Sequence, residues 1–123
     1  MTQPLALVLY EKLLPGSQLV NRLQDLNYRV QAIADAAKLV ECAAQAKPML
    51  VLADLASTQN NVCAALARLK QNPATRHLPI IAFSAEDAAE LQEAAKAAGA
   101  TLIVGETAIL DHLPEMLDQA LQL

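Results

Sequence analysis

Met49-Leu50-Val51-Leu52-Ala53-Asp54 is the most informative segment of this sequence for the fold. A continuous apolar run without alternation is typical of a strand that is buried on both faces. Such strands belong to parallel sheets covered by helices, whose functional groups lie at the carboxyl ends of the strands. Asp54 follows the run directly. It therefore either shapes the next loop through local hydrogen bonds or serves as the reactive group of a pocket.

Four more strand patterns alternate with helical patterns along the chain. The predicted strands are Leu5–Tyr10, Tyr28–Ile33, Met49–Ala53, Ile80–Phe83 and Thr101–Val104. Five helices are predicted. The first follows Pro15-Gly16-Ser17, and the second follows Asp35. The third runs from Val62 to Leu69, the fourth lies after Ser84 and ends at Ala98, and the fifth spans Leu113–Leu121. Because crossovers between parallel strands are right-handed, this order predicts one α/β domain over residues 1–123, with five helices on both faces of a five-stranded sheet.

Local signals predict where several helices begin and end. Asp35 is a good amino-terminal cap for the second helix. Asn27 suits the end of the first helix, and Lys47-Pro48 ends the second because the residue before proline avoids the helical region. Gly99 suits a left-handed cap after the Ala-rich fourth helix.

Composition excludes several classes of partner. The net charge is −4, only 2% of the residues are aromatic and tryptophan is absent, so we expect no direct nucleic-acid binding. The amino terminus lacks a basic region before an apolar run, and no run has the length of a membrane span. Cys42 and Cys63 lie on different predicted helices without a CxxC motif and are interpreted as packing thiols. We expect a cytoplasmic protein with no membrane contact.

Two stretches carry a resemblance to a known family: Leu50-Val51-Leu52-Ala53-Asp54 and His77-Leu78-Pro79-Ile80-Ile81-Ala82-Phe83-Ser84-Ala85. In this order and spacing, the chain resembles the receiver domain of bacterial two-component response regulators along essentially its full length. The resemblance implies a flavodoxin-like sheet of strand order 2-1-3-4-5. It also implies that Asp54 accepts a phosphoryl group from a histidine kinase.

The same resemblance implies roles for three other positions near Asp54. In the family, an acidic pair after the first strand holds magnesium, and here that pair is Tyr10-Glu11, with one carboxylate missing. The hydroxyl residue that senses the phosphoryl group is retained as Ser84. The lysine that pairs with the phosphoryl group is replaced, in an ungapped alignment, by Glu106. Ile103 stands where the family usually has a switch aromatic residue.

The change from lysine to glutamate has a large electrostatic consequence. Unit charges about 4 Å apart interact by roughly 4 kcal/mol at an effective dielectric constant near 20. A repelling Glu106 in place of an attracting lysine therefore opposes an acyl phosphate by several kcal/mol. A hard cation such as magnesium could offset part of this repulsion, with Glu11, Asp54 and a backbone carbonyl near Ala56 as ligands, although no cofactor is required.

These observations favour a divergent receiver domain, a pseudo-receiver, that acts through protein contacts and not as an enzyme. By resemblance, the contact face includes Glu90, Ile103 and His112, and the partner is a sensor kinase, an output protein or a second copy in a homodimer. One alternative is a working receiver in which Asp54 is phosphorylated and Ser84 senses it. For Ser84 the pattern Ser84-Ala85-Glu86-Asp87 also predicts a simple helix cap.

A second alternative belongs to another class of protein. A small-ligand or nucleotide-binding α/β domain could use the same edge of the sheet. Only three glycines occur in the chain and no glycine-rich phosphate loop is present, which argues against this reading. No nucleophile, base and orienting group occur at a recognisable spacing, so catalysis is not expected.

Overall fold

Five parallel strands form one sheet in the computed structural model of the chain, which describes residues 5–10, 13–33, 35, 38–55, 62–84 and 89–121. The strands are β1 Leu5–Leu9, β2 Arg29–Ile33, β3 Leu50–Asp54, β4 Ile80–Ser84 and β5 Leu102–Gly105. Their order is β2-β1-β3-β4-β5, with every neighbouring pair parallel. The flavodoxin-like fold class and the strand order are thus confirmed. β3 is buried along its whole length, as its apolar run predicts.

The helices lie between and after the strands. They are α1 Leu13–Asp25, α2 Leu39–Ala46, α3 Val62–Gln71, α4 Ala89–Ala98, α5 Glu106–Asp111 and α6 Leu113–Leu121. The last helix has the predicted bounds. α5 is an addition to the five predicted helices, because its six residues are too few for an apolar period to be read. His112 separates it from α6 and donates its backbone N–H to the carbonyl of Ala108 at 2.8 Å.

Two apolar cores cover the two faces of the sheet, as expected for right-handed crossovers. One face, called here the α2/α3/α4 face, contains these buried residues from helices and strands: Leu39, Ala43, Val62, Ala65, Leu66, Leu69, Ala95, Leu7, Leu9, Val51, Ala53, Ile80 and Ala82. The other, the α1/α5/α6 face, contains Leu19, Leu23, Ile109, Leu113, Leu117, Ala6, Val8, Leu50, Leu52, Ile81 and Phe83. Successive residues of each central strand therefore alternate between the faces.

Three of the predicted helix ends are confirmed, but the predicted start of the first helix is wrong, because α1 begins at Leu13 and Pro15-Gly16-Ser17 lies within it. Asn27, Lys47 and Gly99 all have positive φ, at 70°, 51° and 103°. The cap at Asp35 is wrong, because α2 begins at Leu39 with Lys38 as its amino-terminal cap residue. The backbone N–H of Lys38 bonds instead to the carbonyl of Asp35 at 3.1 Å, in a tight i to i+3 turn.

The two cysteines are free and half-buried, and both pack against the core of the α2/α3/α4 face, which confirms them as packing thiols. Burial raises the pKa of the Cys63 thiol above its ordinary value. Among the described residues, no helix combines the length and apolar character that a membrane crossing needs.

Side chains at the end of α3 and in the loop after it form hydrogen bonds with the backbone at the amino end of the sheet. The buried Thr75 hydroxyl donates to the carbonyl of Leu69 at 2.7 Å. Lys70 Nζ donates to the carbonyls of Arg76 and Leu78 at 3.3 and 3.0 Å. Burial lowers the Lys70 pKa, since the aliphatic stem and part of the ammonium are removed from water. These three side-chain hydrogen bonds help to fix the loop that leads into β4.

The turn before β5 is fitted against the same lysine. A Cβ atom built on Gly99 would lie 2.8 Å from Lys70 Cγ, so glycine is required here by space as well as by its φ of 103°. Thr101 and Ile80 are joined twice. The Thr101 N–H donates to the Ile80 carbonyl at 2.8 Å, and the Ile80 N–H donates to Thr101 Oγ1 at 3.1 Å.

Candidate functional site

Asp54 is the last residue of β3, at the carboxyl end of the central strand. Its side chain is 1% exposed. Its Cα is level with that of Phe83 on β4, and the N–H of Leu55 donates to the Phe83 carbonyl at 2.9 Å. The position is the one the sequence predicts: a carboxylate at the edge where parallel sheets hold their functional groups.

Strand alternation places Asp54 on the α1/α5/α6 face. Leu50 and Leu52 belong to that core, and Asp54 is the next residue of the same parity. Tyr10 also packs against that core and follows Leu9, whose Cα partner is Ala53. Tyr10 is therefore level with Asp54 on the neighbouring strand, where the resemblance expects a carboxylate.

Ser84 ends β4 and is fully buried, one residue beyond the level of Asp54. Its parity is that of Ile80 and Ala82, which places it on the α2/α3/α4 face. Gln92 of α4 donates from Nε2 to Ser84 Oγ at 3.5 Å, the long limit of a hydrogen bond. The hydroxyl is thus in contact with α4, on the face opposite to that of Asp54.

Gln92 is a residue of this site that the sequence analysis did not single out. It lies three positions before Ala95, the buried residue of α4, so helical periodicity turns it toward the sheet. The periodicity could have been read from the sequence. Its pairing with Ser84 could not, because the residues are eight positions apart and meet only when α4 packs.

The end of β5 leads directly into a helix. Gly105 is the Cα partner of Ser84 and has extended backbone angles, φ −79° and ψ 156°. Glu106 is the first residue of α5. The position that the resemblance assigns to a lysine is therefore one residue past the partner of Ser84, at the start of a six-residue helix.

Two of the predicted metal ligands, Glu11 and Ala56, lie outside the described residues. Asp54 is the one member of that set that the structure describes. The described part of the chain holds no group of three or more His, Cys, Asp or Glu residues that could bind a metal ion. The predicted magnesium site therefore remains a prediction.

The three predicted contact residues lie on β5 itself, on α4, and directly after α5. Glu90 is exposed on α4, and Ile103 of β5 is half-exposed and packs against the α2/α3/α4 core. His112 is exposed at the end of α5. The α4 helix lies on one face of β5, and α5 and α6 lie on the other.

A shallow polar groove lies apart from this edge, between α1 and α5. Its volume is about 270 Å³, and Gln18, Asn21, Arg22, Asp25 and Leu110 line it. Small-ligand sites are usually larger and mostly apolar. The groove therefore gives little support to the small-ligand reading.

Comparison with solved structures identifies the fold. The chain is similar to the receiver domain of a sensor histidine kinase from Pseudomonas aeruginosa, with 20% identity, TM-score 0.89, and coverage of 99% of this chain and 100% of that one. That structure has a magnesium ion coordinated in its active-site cleft. The present chain is also similar to the chemotaxis response regulator CheY4 of Vibrio cholerae, with 19% identity, TM-score 0.84, and coverage of 97% of this chain and 99% of that one.

A third similar structure is the beryllofluoride-activated receiver domain of RstA from Klebsiella pneumoniae, with 18% identity, TM-score 0.83, and coverage of 97% and 99%. No protein-family model matches the sequence, and no curated protein matches it closely enough to count as a relative. The chain has the fold of response-regulator receiver domains, which agrees with the resemblance drawn from its sequence.

Proposed function

We propose that the chain is a receiver-type module of two-component signalling that works by protein contact, without a lasting phosphoryl group on Asp54. The observation that carries this proposal is the residue after β5. A receiver that keeps an acyl phosphate needs a cation there, and this chain has Glu106. Phosphorylation of Asp54 would add about −1.5 to −2 charges, and by resemblance Glu106 occupies the position from which a lysine would neutralise them.

The energy of this arrangement opposes the modification. At about 4 Å and an effective dielectric constant near 20, each unit repulsion is worth roughly 4 kcal/mol, and the lost attraction to lysine is of similar size. Tyr10 also removes one carboxylate that the family uses to hold magnesium, the ion that neutralises a transferring phosphoryl group. Both changes act in the same direction.

The described geometry adds support. Asp54 is 1% exposed, so a phosphodonor reaches it only if covering residues move. Ser84 is fully buried, and Gln92 of α4 contacts its hydroxyl. Movement of this hydroxyl toward Asp54 would cost the contact with Gln92.

Magnesium is an optional ligand in this proposal. Asp54 is the carboxylate described at the edge of the sheet, and Glu11 is the second by sequence. The oxygen donors suit a hard cation. No step of the proposed function depends on the metal.

The second candidate is a working receiver, favoured by the presence of Asp54 and Ser84 at the ends of neighbouring strands. In that case Asp54 is the acceptor and a sensor kinase is the partner. In the first case, the partner reads the surface of α4, β5 and α5, around Glu90, Ile103 and His112. In neither case is the module itself an enzyme.

Amide NMR with magnesium and beryllofluoride separates the two candidates. We expect magnesium to shift few signals, and beryllofluoride to add no saturable shift at Asp54, Ser84 or β5. Glu106→Lys restores the cation and should produce such shifts, which Asp54→Ala should abolish again. Saturable shifts in the unmodified protein that disappear in Asp54→Ala would establish the working receiver instead.

A further inference from the structure

The two edge strands of the sheet differ in how they are protected. β2 exposes Arg29 and Gln31 along its edge, and charged or polar side chains discourage pairing with other strands. β5 consists of Leu102, Ile103, Val104 and Gly105, all half-exposed and none charged. An uncharged, apolar, half-exposed edge is a template for another strand.

Within the part of the chain that the structure describes, β5 pairs with β4 and with no strand on its outer side. The Thr101 N–H donates to the Ile80 carbonyl, so Thr101 faces β4. In a parallel ladder alternate residues face the same neighbour, so Ile103 also faces β4. The N–H and C=O groups of Leu102 and Val104 therefore face away from the sheet, in the spacing that an added strand uses.

The region that surrounds this edge is strongly acidic. Residues 84–123 contain eight acidic residues and one basic residue, Lys96, although the whole chain has a net charge of only −4. The helices on the two faces of β5 expose these carboxylates: Glu90, Glu93, Asp111 and Glu115. An incoming strand meets a negative potential from both sides of the sheet.

We propose that the β5 edge binds an extended, basic segment of a partner protein as a sixth strand. This inference rests on the proposed function, because it names the kind of partner that the contact module recognises. Backbone hydrogen bonds to Leu102 and Val104 supply affinity, and alternate side chains supply specificity. Lysine or arginine side chains on the segment then lie near the carboxylates of α4 and of the α5–α6 region.

Charge distinguishes this occupant from a second copy of the chain. Pairing two β5 edges would bring two acidic regions together, since residues 84–123 carry eight acidic residues and Lys96 as their one lysine or arginine. Like charges in close contact oppose association, whereas a basic segment is attracted and its approach is accelerated. The acidic surroundings therefore select against self-pairing and for a basic partner.

Synthetic peptides of about ten residues, the length of a long strand, provide the test. One peptide alternates valine with lysine, and a second alternates valine with glutamate. A third is the lysine peptide with N-methylated valines, whose backbone nitrogens cannot donate hydrogen bonds to β5. Amide exchange and NMR shifts of the intact chain are recorded with each peptide. The measurements are repeated on Asp54→Ala, which lacks the candidate phosphoryl acceptor. Peptide binding to β5 in this variant is therefore judged separately from phosphorylation of Asp54.

With the lysine peptide, we expect shifts centred on β5 and exchange of the Leu102 and Val104 amides slowed at least about tenfold. Val30 and Ala32 of β2 should be unaffected. The glutamate and N-methylated peptides should give no protection. Equal protection by the glutamate peptide, equal effects at β2, or no effect of the lysine peptide would each overturn the proposal.

A matched pair of variants tests the location. Val104→Lys places a charge on the β5 edge, and Val30→Lys does the same on β2, where the valine is also half-buried against the α1/α5/α6 core. Only Val104→Lys should abolish binding of the lysine peptide. If that variant does not fold, the N-methylated peptide still decides the question on the unmodified protein. Protection of β5 that grows with protein concentration and without peptide would show a second copy as the occupant and overturn the proposal.

Discussion

The two ends of the sheet are built in different ways. At the amino end, Lys70, Thr75 and Thr101 join α3, the loop before β4 and the start of β5 through hydrogen bonds of 2.7 to 3.3 Å. At the carboxyl end, Ser84 and Gln92 meet at 3.5 Å, and the strands lead into residues that depart from the receiver pattern. The chain thus has the receiver fold, while the residues at its carboxyl edge differ from those that the resemblance implies.

The largest expected effect is at the amino end, in Gly99→Ala. The new Cβ would lie 2.8 Å from Lys70 Cγ and occupy a φ of 103°. We expect a loss of about 2–3 kcal/mol in the free energy of unfolding, measured by urea denaturation. Gly105→Ala is the matched control at the carboxyl end, where φ is −79°, and should cost less than about 1 kcal/mol. Equal losses would remove the contrast between the two ends.

Thr75→Val should have the next largest effect. It keeps the shape of the buried side chain but removes the donor to the Leu69 carbonyl. The expected loss is about 1–2 kcal/mol, because a buried carbonyl loses a partner. Thr75→Ser retains the hydroxyl and should recover most of that difference in the same urea experiment. A serine variant as unstable as the valine variant would show that methyl packing is what matters here.

Ser84→Ala removes the hydroxyl that Gln92 contacts at 3.5 Å, and we expect a loss of about 0.5–1 kcal/mol in the free energy of unfolding, less than for Thr75→Val. A double-mutant cycle with Gln92→Ala measures the pairing directly, and we expect a coupling energy below about 0.5 kcal/mol. A coupling above about 1 kcal/mol would mean that the carboxyl end is fixed as firmly as the amino end.

The smallest effects concern pH: Cys63 and Tyr28 lower the stability at alkaline pH, whereas the lowered pKa of Lys70 acts in the opposite direction. Burial raises the pKa of Cys63, at the start of α3, above 9.0. The pKa of Tyr28, just before β2, is also raised above its ordinary value, mainly by burial and secondly by the negative charge of Asp118. A raised pKa favours the protonated folded state, so its contribution is complete below the ordinary value and is lost as pH rises through the raised one.

Unfolding midpoints in urea should therefore begin to fall above pH 9, first through Cys63 and then through Tyr28. Cys63→Ala should flatten the lower part of that decline, and Tyr28→Phe the upper part. An unchanged decline in both variants would assign the alkaline sensitivity to other groups.

The scaffold was readable from the sequence because its signals are local. The apolar run before Asp54 predicted a strand buried on both faces, and Asn27 and Gly99 marked helix ends by their conformational freedom. The cap at Asp35 failed because a capping residue type does not fix where the first full turn begins. α5 was not predicted because a six-residue helix gives too little periodicity.

The contacts that distinguish the two ends were not readable, because they depend on tertiary packing. Lys70 reads as a solvated residue at a helix end, yet its stem packs on Gly99 and its ammonium binds two carbonyls. Gln92 likewise reads as a surface residue of an Ala-rich helix. Glu106 was identified by resemblance, and its effect on Asp54 is still a prediction.

Whether Asp54 keeps a phosphoryl group is tested by the intact mass of the protein after treatment with magnesium and a small phosphodonor such as acetyl phosphate. The proposed repulsion between Glu106 and a phosphorylated Asp54 predicts no lasting gain of one phosphoryl group in the unmodified chain, and a longer-lived gain in Glu106→Lys. A stable phosphoryl adduct on the unmodified chain that is absent from Asp54→Ala would contradict the account.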